Sequence, residues 1–214
     1  MKIGIYGGTF NPIHLGHLRT AEEIRQRFGM REIIFVPSAQ PPHKRSPEIV
    51  DGSHRLKMVA LAVTGNPKFS VSDLEVRRGG KSYSLDTLRE IKQLHPESDL
   101  AFICGLDAFL EIDTWYHYQQ LFAAADFIVT SRPGARRVAL AKAIPEAVRP
   151  DFRRRAKSEV FVHASGKTLT FTEVTGLDIS STLVRKFVRE GVSPRYLIPR
   201  RVGDYITEHR LYQK

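Results

Sequence analysis

The chain has 214 residues, 42% of them hydrophobic and 9% aromatic, enough for one sizeable core and ordinary for a globular protein. No run approaches the roughly 18 apolar residues of a membrane span, and the single cysteine excludes an internal disulfide and a cysteine-built metal site. A formal net charge of +10 asks for an anionic partner, either nucleic acid or a phosphorylated small molecule, without choosing between them.

The first predicted element is a strand at 2–6, an alternating apolar run that ends on Gly7 and Gly8. Thr9 and Phe10 continue a tight turn, and an amphipathic helix is predicted over 15–28. The two glycines let the backbone turn and approach a ligand, and the helix start offers unpaired N–H groups to a phosphate. His14 and His17 stand at that start, three residues apart, where both can face one point.

A strand at 32–36 follows, then the long Pro-rich stretch "PSAQPPHKRSPE", whose length suits a functional loop. Helix 53–64, strand 69–72, helix 84–94, strand 100–104, helix 115–123 and strand 127–130 come next. Helix 135–147, strand 160–163 and helices 180–190 and 199–208 complete the series. Such alternation predicts an α/β fold, a Rossmann-like open twisted parallel sheet with helices on both faces and a small C-terminal helical part. The expected organisation is one domain over 1–214, with a core at 1–175 and the helical part at 176–214. Cys104, in "LAFICG", reads as a small buried hydrophobe. The dense basic cluster 149–157, "RPDFRRRAK", reads as a solvated helix face. The chain starts in a strand with no basic, apolar or small-residue leader, which predicts a cytoplasmic protein.

"GGTFNP" lacks the third glycine and the downstream acid of a dinucleotide fingerprint, and no Gly-Lys-Ser/Thr makes a Walker loop. A second phosphate-type element lies in "TGLDISSTLVRKF". Ser180 caps a helix, Ser181 and Thr182 add hydroxyls, and Arg185 lies one turn in. Two donor-rich helix starts suit a triphosphate held between them.

Together "GGTFNPIHLGHL" and "ISSTLVR" resemble the nucleotidyltransferase superfamily with the His-x-Gly-His signature. With "PPHK", "SYSLDTL", "GLDAFLEIDTW" and "SRPG" in the same order, the set resembles its bacterial nicotinate-nucleotide adenylyltransferases over most of the chain. That resemblance implies adenylyl transfer from ATP, accompanied by Mg²⁺, to nicotinate mononucleotide in NAD biosynthesis, with no metal-binding residues of the protein's own. It implies catalytic roles for His14, His17 and Arg185. It also implies an ATP site of Gly7, Gly8, Thr9, Phe10, His14, His17, Gly105, Asp107, Ile179, Ser180, Ser181, Thr182 and Arg185. The mononucleotide site implied is Lys44, Tyr83, Ser84, Trp115, Tyr116 and Arg132. Two positions depart from many relatives: Asn11 stands where Asp is common, and Ser84 where Thr is common. The partners implied are the two small molecules, without nucleic acid or membrane, and self-association is left open.

The rivals differ in acceptor or in class. Another adenylyltransferase of the superfamily, using nicotinamide mononucleotide or pantetheine phosphate, shares both phosphate elements. A class I aminoacyl-tRNA synthetase would need a Lys-Met-Ser-Lys loop that is absent. A basic nucleic-acid-binding module would explain the charge but not the Gly/His turn or "ISST".

Overall fold

Strand β1 (Lys2–Gly8) leads through the histidine turn into helix α1 (Leu15–Arg27) and then β2 (Glu32–Pro37). The computed structural model describes residues 1–39, 48–131, 140–156 and 158–213. Helix α2 (Gly52–Val63), β3 (Phe69–Val71), α3 (Leu74–Arg78) and α4 (Ser84–Leu94) follow. Next come β4 (Asp99–Gly105), α5 (Leu106–Phe109), a 3-10 turn at Ile112–Thr114, α6 (Tyr118–Ala124) and β5 (Asp126–Ser131). The chain closes with α7 (Leu140–Ala143), β6 (Phe152–Arg154), β7 (Val160–His163), β8 (Thr168–Glu173), α8 (Ser181–Arg189) and α9 (Arg200–Glu208).

The strands form one sheet in the order β3-β2-β1-β4-β5-β8-β7-β6. From β3 to β8 all neighbours are parallel, and β7 and β6 add an antiparallel edge. The order reverses between β1 and β4, so a crevice opens beyond their carboxyl ends, the usual ligand position in an open α/β sheet. Strands β2 and β4 are apolar on both faces, as a doubly covered sheet requires. Ile34, Val36, Leu100 and Phe102 pack with α4 and α6, whereas Ile33, Phe35, Ala101 and Ile103 pack with α1, α2, α8 and α9. Lys2 and Asp126 join the bases of β1 and β5 at 2.7 Å. No helix among the described residues is long and apolar enough to cross a membrane.

Several expectations change. The basic cluster at 149–157 is not a helix face: a 3-10 turn at Arg149–Asp151 runs into edge strand β6, and Lys157 lies outside the described residues. Phe152 is drawn inward, its ring 5.2 Å from that of Phe122, while pairing with β7 satisfies the backbone and leaves Arg153 and Arg154 outside. The expected helix 115–123 starts only at Tyr118, because Trp115 is extended and His117 takes a left-handed conformation with φ 48°. Of the expected helix 135–147 the described part is helical at Leu140–Ala143, and 132–139 lie outside the described residues. Helix α3 and strand β8 were not anticipated, although "TLTFTE" alternates, with Leu169 and Phe171 buried.

Candidate active site

Two cavities meet in the crevice above β1 and β4. The larger, about 1170 Å³, is lined by Gly7, Gly8, Thr9, Phe10, His14, His17, Gly105, Asp107, Ser180, Ser181, Thr182 and Arg185. Every residue expected to bind ATP is therefore present except Ile179, which is buried in the core beneath α8. The smaller, about 440 Å³, is lined by Tyr83, Ser84, Trp115 and Tyr116. Lys44 and Arg132, the other two expected mononucleotide residues, lie outside the described residues. Gly7, Gly8, Thr9, Gly105, Ala108 and Glu111 border both cavities, so a molecule in one reaches a molecule in the other.

The glycines here serve close approach more than turning. Gly8 keeps an ordinary backbone, and a Cβ on it would lie 2.9 Å from Phe10 Cζ. The left-handed conformation falls on Phe10 itself, at φ 47°. Its ring lies edge-on to Tyr6 at 5.7 Å and to His17 at 5.1 Å, which holds the unusual backbone in place. Gly16 separates the histidines for a similar reason: a Cβ there would sit 3.0 Å from His14 Nδ1.

His14 is the N-cap of α1. Its imidazole stacks on that of His17, with centroids 3.7 Å apart and planes 25° from parallel. His17 Nδ1 accepts the His14 backbone N–H at 3.2 Å. That bond assigns the ring proton to Nε2, the donor a phosphate oxygen requires.

At the second phosphate element each hydroxyl has a protein partner, and only that of Ser181 donates its proton. Ser180 Oγ caps α8 by accepting from Leu183 N at 3.1 Å, and Ser181 Oγ donates to Pro12 O at 2.8 Å. The remaining donors of α8 are the Ser181 and Thr182 N–H groups, at the positive end of the helix dipole, and the Ser180 and Thr182 hydroxyls. Arg185 donates to Asn11 O at 2.9 Å and to Glu48 at 2.9 Å, and its Nε is buried with no partner among the described residues. Asn11 is fixed on three sides: Nδ2 donates to Glu48 O at 3.0 Å, and Oδ1 accepts from Val50 N at 3.2 Å and Tyr212 Oη at 2.9 Å. It is a clamp between the segment leading into α2 and the C-terminus.

In the smaller cavity Tyr83 and Tyr116 stack at 4.4 Å, and Trp115 is propped edge-on against Phe102 at 5.9 Å. The hydroxyls of Ser38 and Ser82 are buried on this wall without a partner among the described residues, and a polar ligand would satisfy them. Glu75 also borders the cavity; burial raises its carboxyl pKa, partly offset by the 2.7 Å bond from Thr87 Oγ1 and by the Ala39 N–H. Cys104 is buried on the same side with its thiol pushed up to about 12 by burial, so it is not a nucleophile at neutral pH. Ser38 and Glu75 were not anticipated, and Ser82, Thr87 and Glu111 were covered only by the stretches "SYSLDTL" and "GLDAFLEIDTW" without being singled out. Thr87 was legible, since it falls beside Leu85, Leu88 and Ile91 on the buried stripe of α4.

The cytidylyltransferase-like family matches the chain over residues 5–187. A relative from Geobacter metallireducens, named probable nicotinate-nucleotide adenylyltransferase, is 47% identical over 99% of this chain and 98% of its own length. One of the same name from Geotalea uraniireducens is 46% identical over the same shares. Among solved structures, a Plasmodium falciparum nicotinic acid mononucleotide adenylyltransferase complexed with NaAD aligns with a TM-score of 0.74 at 23% identity, covering 99% of this chain and 97% of that one. At that identity the likeness shows the fold.

Proposed function

The chain belongs to the cytidylyltransferase-like family and, within it, to the nicotinate-nucleotide adenylyltransferases, and we propose that it joins ATP to nicotinate mononucleotide, giving deamido-NAD and pyrophosphate in NAD biosynthesis. The observation that carries this reading is the shared wall of the two cavities, which suits an acceptor phosphate in one and the α-phosphorus of a nucleotide in the other.

The mononucleotide phosphate is anionic at neutral pH and needs no general base. One of its oxygens bonds to the α-phosphorus while the bond from that phosphorus to the bridging oxygen breaks, and pyrophosphate leaves with the electron pair. The protein aligns the two groups and stabilises the spreading charge. His17 Nε2–H, the first-turn N–H groups of α8 and Arg185 are the donors on the larger cavity. Asp107, exposed at the start of α5, suits the ribose hydroxyls of ATP. Trp115, with Tyr83 and Tyr116, offers flat faces to the electron-poor pyridine. Ser84 and Ser82 offer hydroxyls to its carboxylate.

Mg²⁺ arrives on the triphosphate. No group of three carboxylate, imidazole or thiolate ligands stands together among the described residues, and the Asn11 amide is already committed. A magnesium ion that keeps its waters and binds phosphate oxygens suits such a site. We place the reaction in the cytoplasm. The test is product analysis: purified protein with ATP, Mg²⁺ and nicotinate mononucleotide should form deamido-NAD and pyrophosphate in equal amounts. Formation of neither refutes the reading.

A further inference from the structure

Arg55 on α2 is among the largest side chains of the protein that are fully buried, at 1% exposure, yet it borders neither cavity. No carboxylate forms an ion pair with it among the described residues. Its three donor nitrogens go instead to three backbone carbonyls: Nε to Val50 O at 2.9 Å, Nη1 to Thr9 O at 2.9 Å and Nη2 to Ala39 O at 2.7 Å. A buried cation is expensive, and an apolar side chain of similar volume would fill the space at lower cost. What the guanidinium supplies is geometry. Its rigid fork fixes three separate segments: the turn after β1, the end of β2 and the lead into α2.

The grip continues beyond Ala39. The Ala39 N–H donates to Glu75 on α3, and Glu75 Oε1 accepts from Thr87 Oγ1 on α4 at 2.7 Å. Thr87 is three residues from Ser84, on the face of α4 that borders the smaller cavity. Thr9 borders both cavities. A chain of hydrogen bonds, Thr9–Arg55–Ala39–Glu75–Thr87, with its three side-chain members buried, therefore runs from the shared wall to the helix that forms the smaller cavity.

We infer that Arg55 is a positioning residue that, through Ala39 and the Glu75–Thr87 bond, sets the placement of the mononucleotide cavity relative to the ATP cavity. The inference rests on the adenylyl-transfer reading above. An in-line displacement tolerates little error between acceptor oxygen and α-phosphorus, and a displacement of about 1 Å costs on the order of 10²-fold in rate. Arg55 borders neither cavity, so its replacement leaves the lining side chains in place and the loss belongs in kcat and not in KM.

The test uses Arg55→Lys, which keeps the charge but cannot span three carbonyls, and Thr87→Val, which keeps the shape but removes the donor to Glu75. A third variant, Val63→Ala, weakens the far end of α2 without touching this chain. Circular dichroism sets a temperature at which all are folded, and kcat and KM for each substrate are measured there. We expect Arg55→Lys to lose about 10²-fold and Thr87→Val about tenfold in kcat, with both KM values within about threefold of wild type. The double variant should lose less than the product of the two, because both act on one element. Val63→Ala should lower the melting temperature without lowering kcat. A kcat within twofold of wild type for folded Arg55→Lys, or fully multiplicative losses, overturns the inference. If Arg55→Lys does not fold, Thr87→Val decides alone: lowered kcat at unchanged KM supports it, and unchanged kcat overturns it. Absence of deamido-NAD from the wild-type protein would instead refute the underlying reaction.

Discussion

Arg185 and Glu48 form an ion pair with Nη2 2.9 Å from Oε2, and Arg189 Nη1 holds the other carboxylate oxygen at 2.5 Å. The hydrogen bonds from Arg185 and then Arg189 keep the Glu48 carboxyl below its ordinary range. Arg185 borders the larger cavity, so a carboxylate already engages the guanidinium that a triphosphate would use.

Binding of ATP should therefore compete with Glu48. Glu48→Gln should lower the KM for ATP by about two- to fivefold, the range expected for one exposed ion pair, and leave the KM for the mononucleotide unchanged. Initial-rate kinetics with ATP varied will show this. An unchanged or raised KM would mean that Arg185 does not reach the nucleotide.

His17 borders the larger cavity while its Nδ1 accepts the His14 backbone N–H, which leaves the ring proton on Nε2. Loss of one preorganised donor should lower kcat by about 10²–10³-fold in His17→Ala. The same change removes the acceptor of the His14 N–H and should cost about 1 kcal/mol, as loss of a helix cap does. Turnover and urea midpoints measured together separate the two effects. A wild-type kcat in folded protein would contradict the donor role.

Asn11→Asp keeps the shape of the side chain but loses one bond. A carboxylate still accepts from Val50 N and Tyr212 Oη but cannot donate to Glu48 O. Facing two oxygens without a proton should cost about 1–3 kcal/mol. Thermal unfolding of the variant checks it, and an unchanged melting temperature would show that the clamp is unimportant.

Burial alone would raise the Asp126 carboxyl, but Lys2 at 2.7 Å and the Thr168 N–H and hydroxyl outweigh it and hold it below its ordinary value. A carboxyl depressed in the folded state adds stability above its unfolded pKa of about 3.9 and loses it as pH falls through the folded value. Asp126→Asn should therefore lower the melting temperature most near neutral pH, and the gap to wild type should close in acid. A gap independent of pH would contradict this assignment.

The sheet was legible because its strands are apolar runs punctuated by glycine and proline, and β1, β2 and β4 fall within two residues of expectation. Strand β6 was not, since three residues of which two are Arg look like surface until Phe152 finds Phe122. The lining of the cavities was legible where residue type signals chemistry, as at His14, His17, Asp107 and Trp115. It was obscure where a residue acts through the backbone. Arg55 looks like a surface charge until its spacing to Met58, Val59 and Val63 is read as the buried stripe of α2. The Ser180 and Ser181 hydroxyls, expected to meet phosphate, line the larger cavity and also anchor α8, Ser180 by accepting from Leu183 N and Ser181 by donating to Pro12 O.

The most direct measurement is kcat/KM for nicotinate mononucleotide, nicotinamide mononucleotide and pantetheine phosphate under saturating ATP and Mg²⁺. The smaller cavity offers the Ser82 and Ser84 hydroxyls, while the Glu75 carboxylate is already bonded to Thr87 and Ala39. A carboxylate would accept from both hydroxyls in charge-assisted bonds, which an amide can match with its carbonyl oxygen alone. One or two charge-assisted hydrogen bonds imply a preference for the acid over the amide of at least about a hundredfold, with no turnover of pantetheine phosphate. Near-equal values for acid and amide, or turnover with pantetheine phosphate alone, would contradict it.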